Sequence, residues 1–370
     1  MSRLWPGWRT SSISQTALAG LLCLARGLAA QVPLRIDDRP SCEACSIRLD
    51  RVATLQGPEV PGEPITGVRL PDGRLRVTFY PVGEEIVEFA SSGKFSRILA
   101  RSGKGPGEVS AARHLERIAG DTLLVFDAGR LQWFDAGGTF VRALPFPLFA
   151  QNALYLGAGT LVANAQANSR ETFGEPLHLI ADYSRLVRSF GAPAGLQFQP
   201  NLPYQILRSL TPDGSGGFWA ARPTAYTLEN YDRTGARTRI LERQVDWFQP
   251  YWVRAPIGPD APPPPWLTGI QWLGQGRILV LVHRLKPNWK QFLGPAQQSA
   301  RGISYPGLDW RQMHWTSLEV VDVVHGRVVV AGRAEEALGG FVDASHVMAY
   351  RQDTAGNPFV DIYHIVLVGG

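Results

Sequence analysis

The feature that most constrains this chain is a repeat with a period of 45 residues. Residues 89–95 (FASSGKF) align with residues 134–140 (FDAGGTF) at that offset, each an aromatic strand end, a glycine turn and an aromatic strand start. The same offset relates Pro61-Gly62-Glu63 to Pro106-Gly107-Glu108, and weaker copies follow at residues 231–235 (YDRTG) and 324–327 (VHGR). Each unit also has a glycine turn that feeds an apolar strand, as at residues 72–75 (DGRL), 159–162 (GTLV), 217–219 (GFW) and 276–280 (GRILV). Turns at such short intervals between β-branched or aromatic runs mark an all-β chain. A period near 45 with four strands per unit is that of a propeller blade, a small sheet packed face to face on the next.

The chain is therefore predicted to be a six-bladed β-propeller. Blade one takes residues 65–101, blade two 112–143, blade three 152–190, blade four 206–243 and blade five 267–331. After residue 338 only three strands fit, near residues 340–343, 346–353 and 359–368, whereas residues 46–55 (SIRLDRVATL) form one strand without a hairpin partner. Joined, they make a sixth blade closed by the N-terminal strand, which spares the ring an unpaired inner edge. A seventh blade would need about 40 further residues.

Residues 1–30 read as a signal peptide: Arg3 and Arg9 begin it, residues 17–25 (ALAGLLCLA) are apolar, and Leu28-Ala29-Ala30 precede an expected cleavage before Gln31. The apolar run is shorter than the roughly 20 residues of a membrane span; an uncleaved amphipathic anchor is the alternative. Leu22 stands before Cys23 where a lipoprotein would have a small residue. Removing residues 1–30 takes away Arg3, Arg9 and Arg26 and no acid, so the charge falls from +5 to +2, 34 basic residues against 32 acidic. A mature chain this close to neutral has no global field for nucleic acid. In an exported chain Cys42 and Cys45 would form a local disulfide; a redox C-x-x-C is the alternative, but no βαβ pattern surrounds it. The chain thus divides into a leader (1–30), an extension with the cysteine pair (31–45) and the propeller (46–370), with insertions at 244–266 and 284–316.

Residues 101–108 (RSGKGPGE) lie between the outer strand of one blade and the inner strand of the next. They resemble the GxGPGE turn of secreted bacterial six-bladed propellers, relatives of the NHL-repeat group. Residues 42–55, leading into the degenerate copy 57–63 (GPEVPGE), resemble the N-terminal start of the same proteins. The resemblance implies a fold and an exported location and carries no settled activity. As a phosphate loop the turn fails, because G-x-x-x-x-G-K-[ST] opening a helix is absent and Pro106 removes a donor.

Neither H-E-x-x-H nor a close cysteine and histidine cluster gives a zinc pattern, and no G-x-S-x-G elbow is present. Six-bladed lactonases resembling gluconolactonase hold a divalent metal in the central channel with acidic and amide groups. The inner strands expected here contribute Arg69, Arg113, His114, Glu116, Arg117, Asn152, Arg208 and Thr268, too basic a set for a hard cation. A metal-dependent hydrolase is therefore the second reading, and no cofactor is expected.

The first reading is a binding or interaction protein. Seven of eleven tryptophans (Trp247, Trp252, Trp266, Trp272, Trp289, Trp310, Trp315) fall in residues 244–316. Between residues 284 and 311 five basic residues (Arg284, Lys286, Lys290, Arg301, Arg311) face one acid, Asp309. The two insertions emerge on one face of a propeller, and long loops in compact domains are mostly functional. Arg284, Lys286, Trp289, Lys290, Trp310, Arg311 and His314 are the expected recognition residues, with a packed cap as the alternative use of the tryptophans. The expected partner is a small molecule, a carbohydrate or a protein, met by a monomer.

Overall fold

The computed structural model describes residues 32–80, 84–167, 172–193, 198–199, 202–252, 258–299, 302–305 and 310–369; the expected leader lies outside them. In chain order come β1 (Leu34–Arg35) and β2 (Ser46–Gln56), then blade one, β3 (Pro64–Arg69), β4 (Leu75–Phe79), β5 (Ile86–Phe89) and β6 (Phe95–Ala100). Blade two is β7 (His114–Arg117), β8 (Leu123–Asp127), β9 (Arg130–Phe134) and β10 (Phe140–Pro145). Blade three is β11 (Phe149–Gly157), β12 (Thr160–Gln166), β13 (Leu177–Ala181) and β14 (Arg185–Phe190), and blade four β15 (Ser209–Pro212), β16 (Phe218–Ala221), β17 (Thr227–Tyr231) and β18 (Arg237–Glu242). Blade five is β19 (Trp266–Gly274), β20 (Arg277–Leu285), β23 (His314–Asp322) and β24 (Arg327–Ala334), interrupted by the hairpin β21 (Gln297–Ser299) and β22 (Gly302–Ser304) and the short helix α1 (Trp310–Met313). Blade six holds β25 (Leu338–Phe341), β26 (His346–Gln352) and β27 (Pro358–Val368), and β2 pairs antiparallel with β27 to complete it, Leu49 opposite Ile365.

Six blades close into a ring because their central strands bury both faces, and in blades two to six the second strand is apolar on both. In β8, Leu123 and Val125 pack with Val68, Ile86 and Leu115 towards blade one, whereas Leu124 and Phe126 pack with Leu161 and Ala163 of blade three. The same alternation in β20 sends Leu279 and Leu281 to blade six, and Ile278 and Val280 to blade four. The core is thus six separate clusters, one at each junction. The innermost strands touch in a cycle: β3 with β7, β7 with β11, β11 with β15, β15 with β19, β19 with β25 and β25 with β3. At Gly93 and Gly138, the repeat's turn glycines, φ is +85° and +87°, a conformation other residues adopt only under strain.

Two features depart from the expectation. The closing strand β2 is the outermost strand of blade six, so it covers an outer edge; the inner edges line the channel instead. The extension before it is also structured. It adds β1 in parallel to β18, bridges Asp37 to Arg327 and donates the N–H of Ser41 to the Val328 oxygen, binding the outer edges of blades four and five before it enters blade six.

Each blade's third strand buries a polar side chain near its middle: Glu88, Gln132, His178, Glu229, Glu319 and Asp361, with Thr227, Thr316 and Ser317 buried beside them on the strands of blades four and five. All find partners, as buried polar groups must. Arg76 and Arg97 donate to Glu88, and Arg76 continues to the Ala136 oxygen of blade two. Gln132 donates to the Glu108 oxygen. Tyr226 and Arg243 of blade four reach Glu319 of blade five.

Candidate functional site

The GPGE turn is a latch. Glu108 Oε2 accepts the Gly105 N–H at 2.7 Å, and Arg130 donates to the Lys104 and Glu108 oxygens, both at 2.7 Å, and to Asp127 at 2.9 Å. A Cβ on Gly103 would come within 2.0 Å of Glu108 Oε2. Its oxygens face an arginine, and the N–H groups of Gly103, Gly105 and Gly107 are taken by Val109, Glu108 and Gln132, so the glycines offer no cradle to a phosphate. Cys42 and Cys45 form a disulfide with Cα atoms 5.3 Å apart, beside the end of β27.

The central channel widens into a cavity of about 450 Å³ lined by the inner strands of all six blades. Of the residues expected there, Arg113, His114, Glu116, Arg117, Asn152 and Thr268 are in the wall. Arg69 and Arg208 are not. Arg69 turns to Asp343, with Nη1 3.5 Å from Oδ2. Arg208 is buried, donates to the Gln205, Leu207 and Gly191 oxygens, and is pushed down by burial to a pKa of about 10. Among the described residues no three His, Cys, Asp or Glu side chains converge as a metal-binding group.

On the insertion-bearing face, Arg284 stands at the end of β20, on a strand rather than in the insertion. Its guanidinium carbon lies 4.0 Å from the ring centre of Trp247 and 4.7 Å from that of Trp315. Arg333 lies 4.4 Å from Trp315, and Arg243 is 5.4 Å from Trp247 and 5.2 Å from Tyr226. The series Tyr226, Arg243, Trp247, Arg284, Trp315, Arg333 thus alternates aromatic and guanidinium groups from blade four across blade five. Stacking uses the face of a guanidinium and leaves its in-plane donors free. Arg243 spends its donors on Asp38 and Glu319, and Arg333 pairs with Glu335. Arg284 has no hydrogen bond or ion pair among the described residues. Burial lowers its pKa, as do the neighbouring Arg243 and Arg333 charges, against Glu319.

The remaining expected residues divide. Trp289 and His314 are buried, so they pack the insertion and are not a contact surface. Trp310 is half-buried beside the His283 ring, 5.1 Å away, and Lys290 is exposed. Arg311 lies 4.3 Å from the Tyr350 ring and pairs with Glu63 at 2.6 Å. With Lys286, Glu335, Glu336 and Arg351 it lines a cleft of about 320 Å³ between the insertion and blade six. Arg301 and Asp309 lie outside the described residues. Sequence reading did not place Trp247 and Trp315 against Arg284, or Arg333 against Trp315; the tryptophan density was the one available signal.

No family profile matches the chain, and no curated protein does. Solved structures do. The chain is similar to a candidate exported protein of Bacteroides fragilis at 10% identity and TM-score 0.51, over 90% of this chain and 99% of that one. That likeness concerns the fold alone. A virginiamycin B lyase of Staphylococcus aureus aligns at 10% identity and TM-score 0.45, over 86% and 99%. Among the described residues no helix is long and apolar enough to cross a membrane.

Proposed function

We propose that this chain is an exported propeller that binds a carboxylate- or phosphate-bearing ligand on its insertion-bearing face. The observation that carries the reading is Arg284, fixed between Trp247 and Trp315 with no hydrogen bond or ion pair among the described residues. A half-buried guanidinium held in one orientation loses little freedom when it meets an anion, which favours recognition over incidental surface charge. The cleft of Lys286 and Arg311 adjoins blade six on the same side and extends the surface. Export is proposed on the leader-like residues 1–30 and on the disulfide, which persists in oxidising compartments. Kinship with the NHL-like exported propellers rests on the latch turn at 101–108.

Trp247 and Trp315 make the test optical. Inorganic phosphate and citrate, titrated separately, should change the intrinsic fluorescence saturably in the native protein and not in Arg284→Met, whose thermal midpoint should move little. An identical response in Arg284→Met, or no response to either anion, overturns the reading. For export, the chain's N-terminus should lie near Gln31 outside the cytoplasm; an intact Met1 in the cytoplasm contradicts it.

A further inference from the structure

We propose that the central channel is a second site, for a small hydroxyl-bearing carboxylate held by Arg113; it is independent of the insertion-face reading. The wall holds three basic residues, and two have acidic partners: Arg117 pairs with Asp121 at 2.9 Å, and His114 Nε2 lies 3.6 Å from Glu116 Oε2. Arg113 has neither a carboxylate nor a hydrogen-bond acceptor for its guanidinium among the described residues; the guanidinium carbon lies 5.6 Å from the centre of the Phe149 ring. Its Nε is sealed from solvent without a hydrogen-bond partner; His114 Nε2 likewise makes no hydrogen bond, its Glu116 neighbour lying beyond that range. A charged group partly stripped of water and left unpaired destabilises the fold, so an anion bound in the cavity restores what the wall lacks.

The wall's two acids do not cancel Arg113. Glu116 accepts the Tyr155 N–H at 3.2 Å as well as facing His114. Asp343 accepts the N–H groups of Ser345 and His346, both at 2.8 Å, and pairs with Arg69 and the His346 ring. The uncompensated charge of the wall is thus positive and sits at Arg113. A guanidinium fork matches a carboxylate in two parallel hydrogen bonds. Asn152, Gln151 and Thr268 supply neutral polar groups along the same wall, which suits hydroxyls on the rest of the molecule. A cavity of about 450 Å³ fits a small ligand.

Glycerate is the probe and glycerol its uncharged control, both followed by calorimetric titration into the full chain. Glycerate should bind saturably and glycerol should not. Arg113→Gln should weaken glycerate by at least about tenfold, the scale of losing a charged hydrogen-bond pair. Gly340 lines the same cavity, and a Cβ there meets no atom within 4 Å. Gly340→Phe therefore projects a ring into the channel from an unobstructed Cβ, and should abolish the Arg113-dependent binding with little change in the thermal midpoint. Arg284→Met should leave glycerate binding intact, which separates failure here from failure of the insertion-face reading. No glycerate binding at concentrations up to about 50 mM, where a millimolar site is saturated, overturns the proposal. So does equal binding of glycerol, or binding indifferent to both channel variants.

Discussion

Tyr226 donates its hydroxyl hydrogen to Glu319 Oε2 at 2.7 Å, tying a turn of blade four to the third strand of blade five. Arg243 reaches the same oxygen, so one buried carboxylate gathers two groups of the neighbouring blade. Tyr226→Phe leaves Glu319 its other partners and should cost about 1 to 2 kcal/mol. Glu319→Ala strands the buried Arg243 charge and should cost about 3 to 5 kcal/mol. Urea unfolding distinguishes them; equal, small losses would mean that the junction is not organised around Glu319.

A pH dependence follows from His283. Burial pushes its pKa from 6.5 down to about 3, and its Nε2 donates to the Leu338 oxygen at 2.7 Å. The unfolded ring takes up a proton as pH falls through 6.5, while the folded one stays neutral down to about 3. The contribution is therefore complete above pH 6.5 and lost as pH falls through that window, reaching about 2 kcal/mol of lost stability by pH 5. His178, also lowered by burial, acts in the same direction. Arg76 and Arg97 hold Glu88 low in spite of its burial, so that carboxylate adds its loss only at more acidic pH. His283→Gln should flatten the stability profile between pH 6.5 and 5; an unchanged slope refutes the assignment.

The latch makes a third expectation. Arg130→Ala and Gly103→Ala should each lower stability by about 2 to 4 kcal/mol, the first by stranding carbonyl oxygens and the second by forcing Glu108 aside. Lys104 is exposed, and Lys104→Ala should stay within about 0.5 kcal/mol. Phosphate binding lost specifically in Lys104→Ala would instead revive the anion-loop reading of residues 103–107.

The cysteine pair closes a loop with a sequence separation of 3. The chain-entropy model gives such a loop less than the ~3 kcal/mol of a 15-residue one. The double variant Cys42→Ala, Cys45→Ala should fold with a slightly lower midpoint. Two free thiols in native protein, found by thiol labelling, would contradict the disulfide.

Removing residues 46–56 should do far more, because β2 covers β27 and packs Ala53 and Leu55 into the junction of blades six and one. The truncated chain should aggregate or lose cooperative unfolding. Unfolding like that of the full chain would place the closing strand elsewhere.

The ring was legible because Phe89 and Phe134, with Gly93 and Gly138, recur with the blade, and a repeat reports on architecture directly. The C-terminal shortage of one strand, matched by the orphan at residues 46–55, carried the closure. β1 escaped notice: two exposed residues, Leu34 and Arg35, have no periodicity to detect, and only the edge of β18 defines them. The placement of the residues expected for recognition was half legible. Arg284 and Trp289 look alike in a tryptophan-rich, basic stretch, yet one lies between two rings and the other is buried; which way each side chain turns depends on contacts distant in sequence. Arg208 misled for the same reason: the start of an inner strand was located closely enough, and its side chain folds back onto carbonyl oxygens.

The seam in blade six also sets a timetable for biosynthesis. Thr54 donates to Asp361 across a separation of 307 residues, which a ribosome covers in about 15 to 60 s at roughly 5–20 residues per second. For that interval β2, 11 residues long, waits without its partner. Such a waiting strand is an aggregation hazard, and charges along it are the usual protection. Arg48, Asp50 and Arg51 provide them. In the finished ring Arg48 and Asp50 pair, among the described residues, with each other at the surface, where they add little stability.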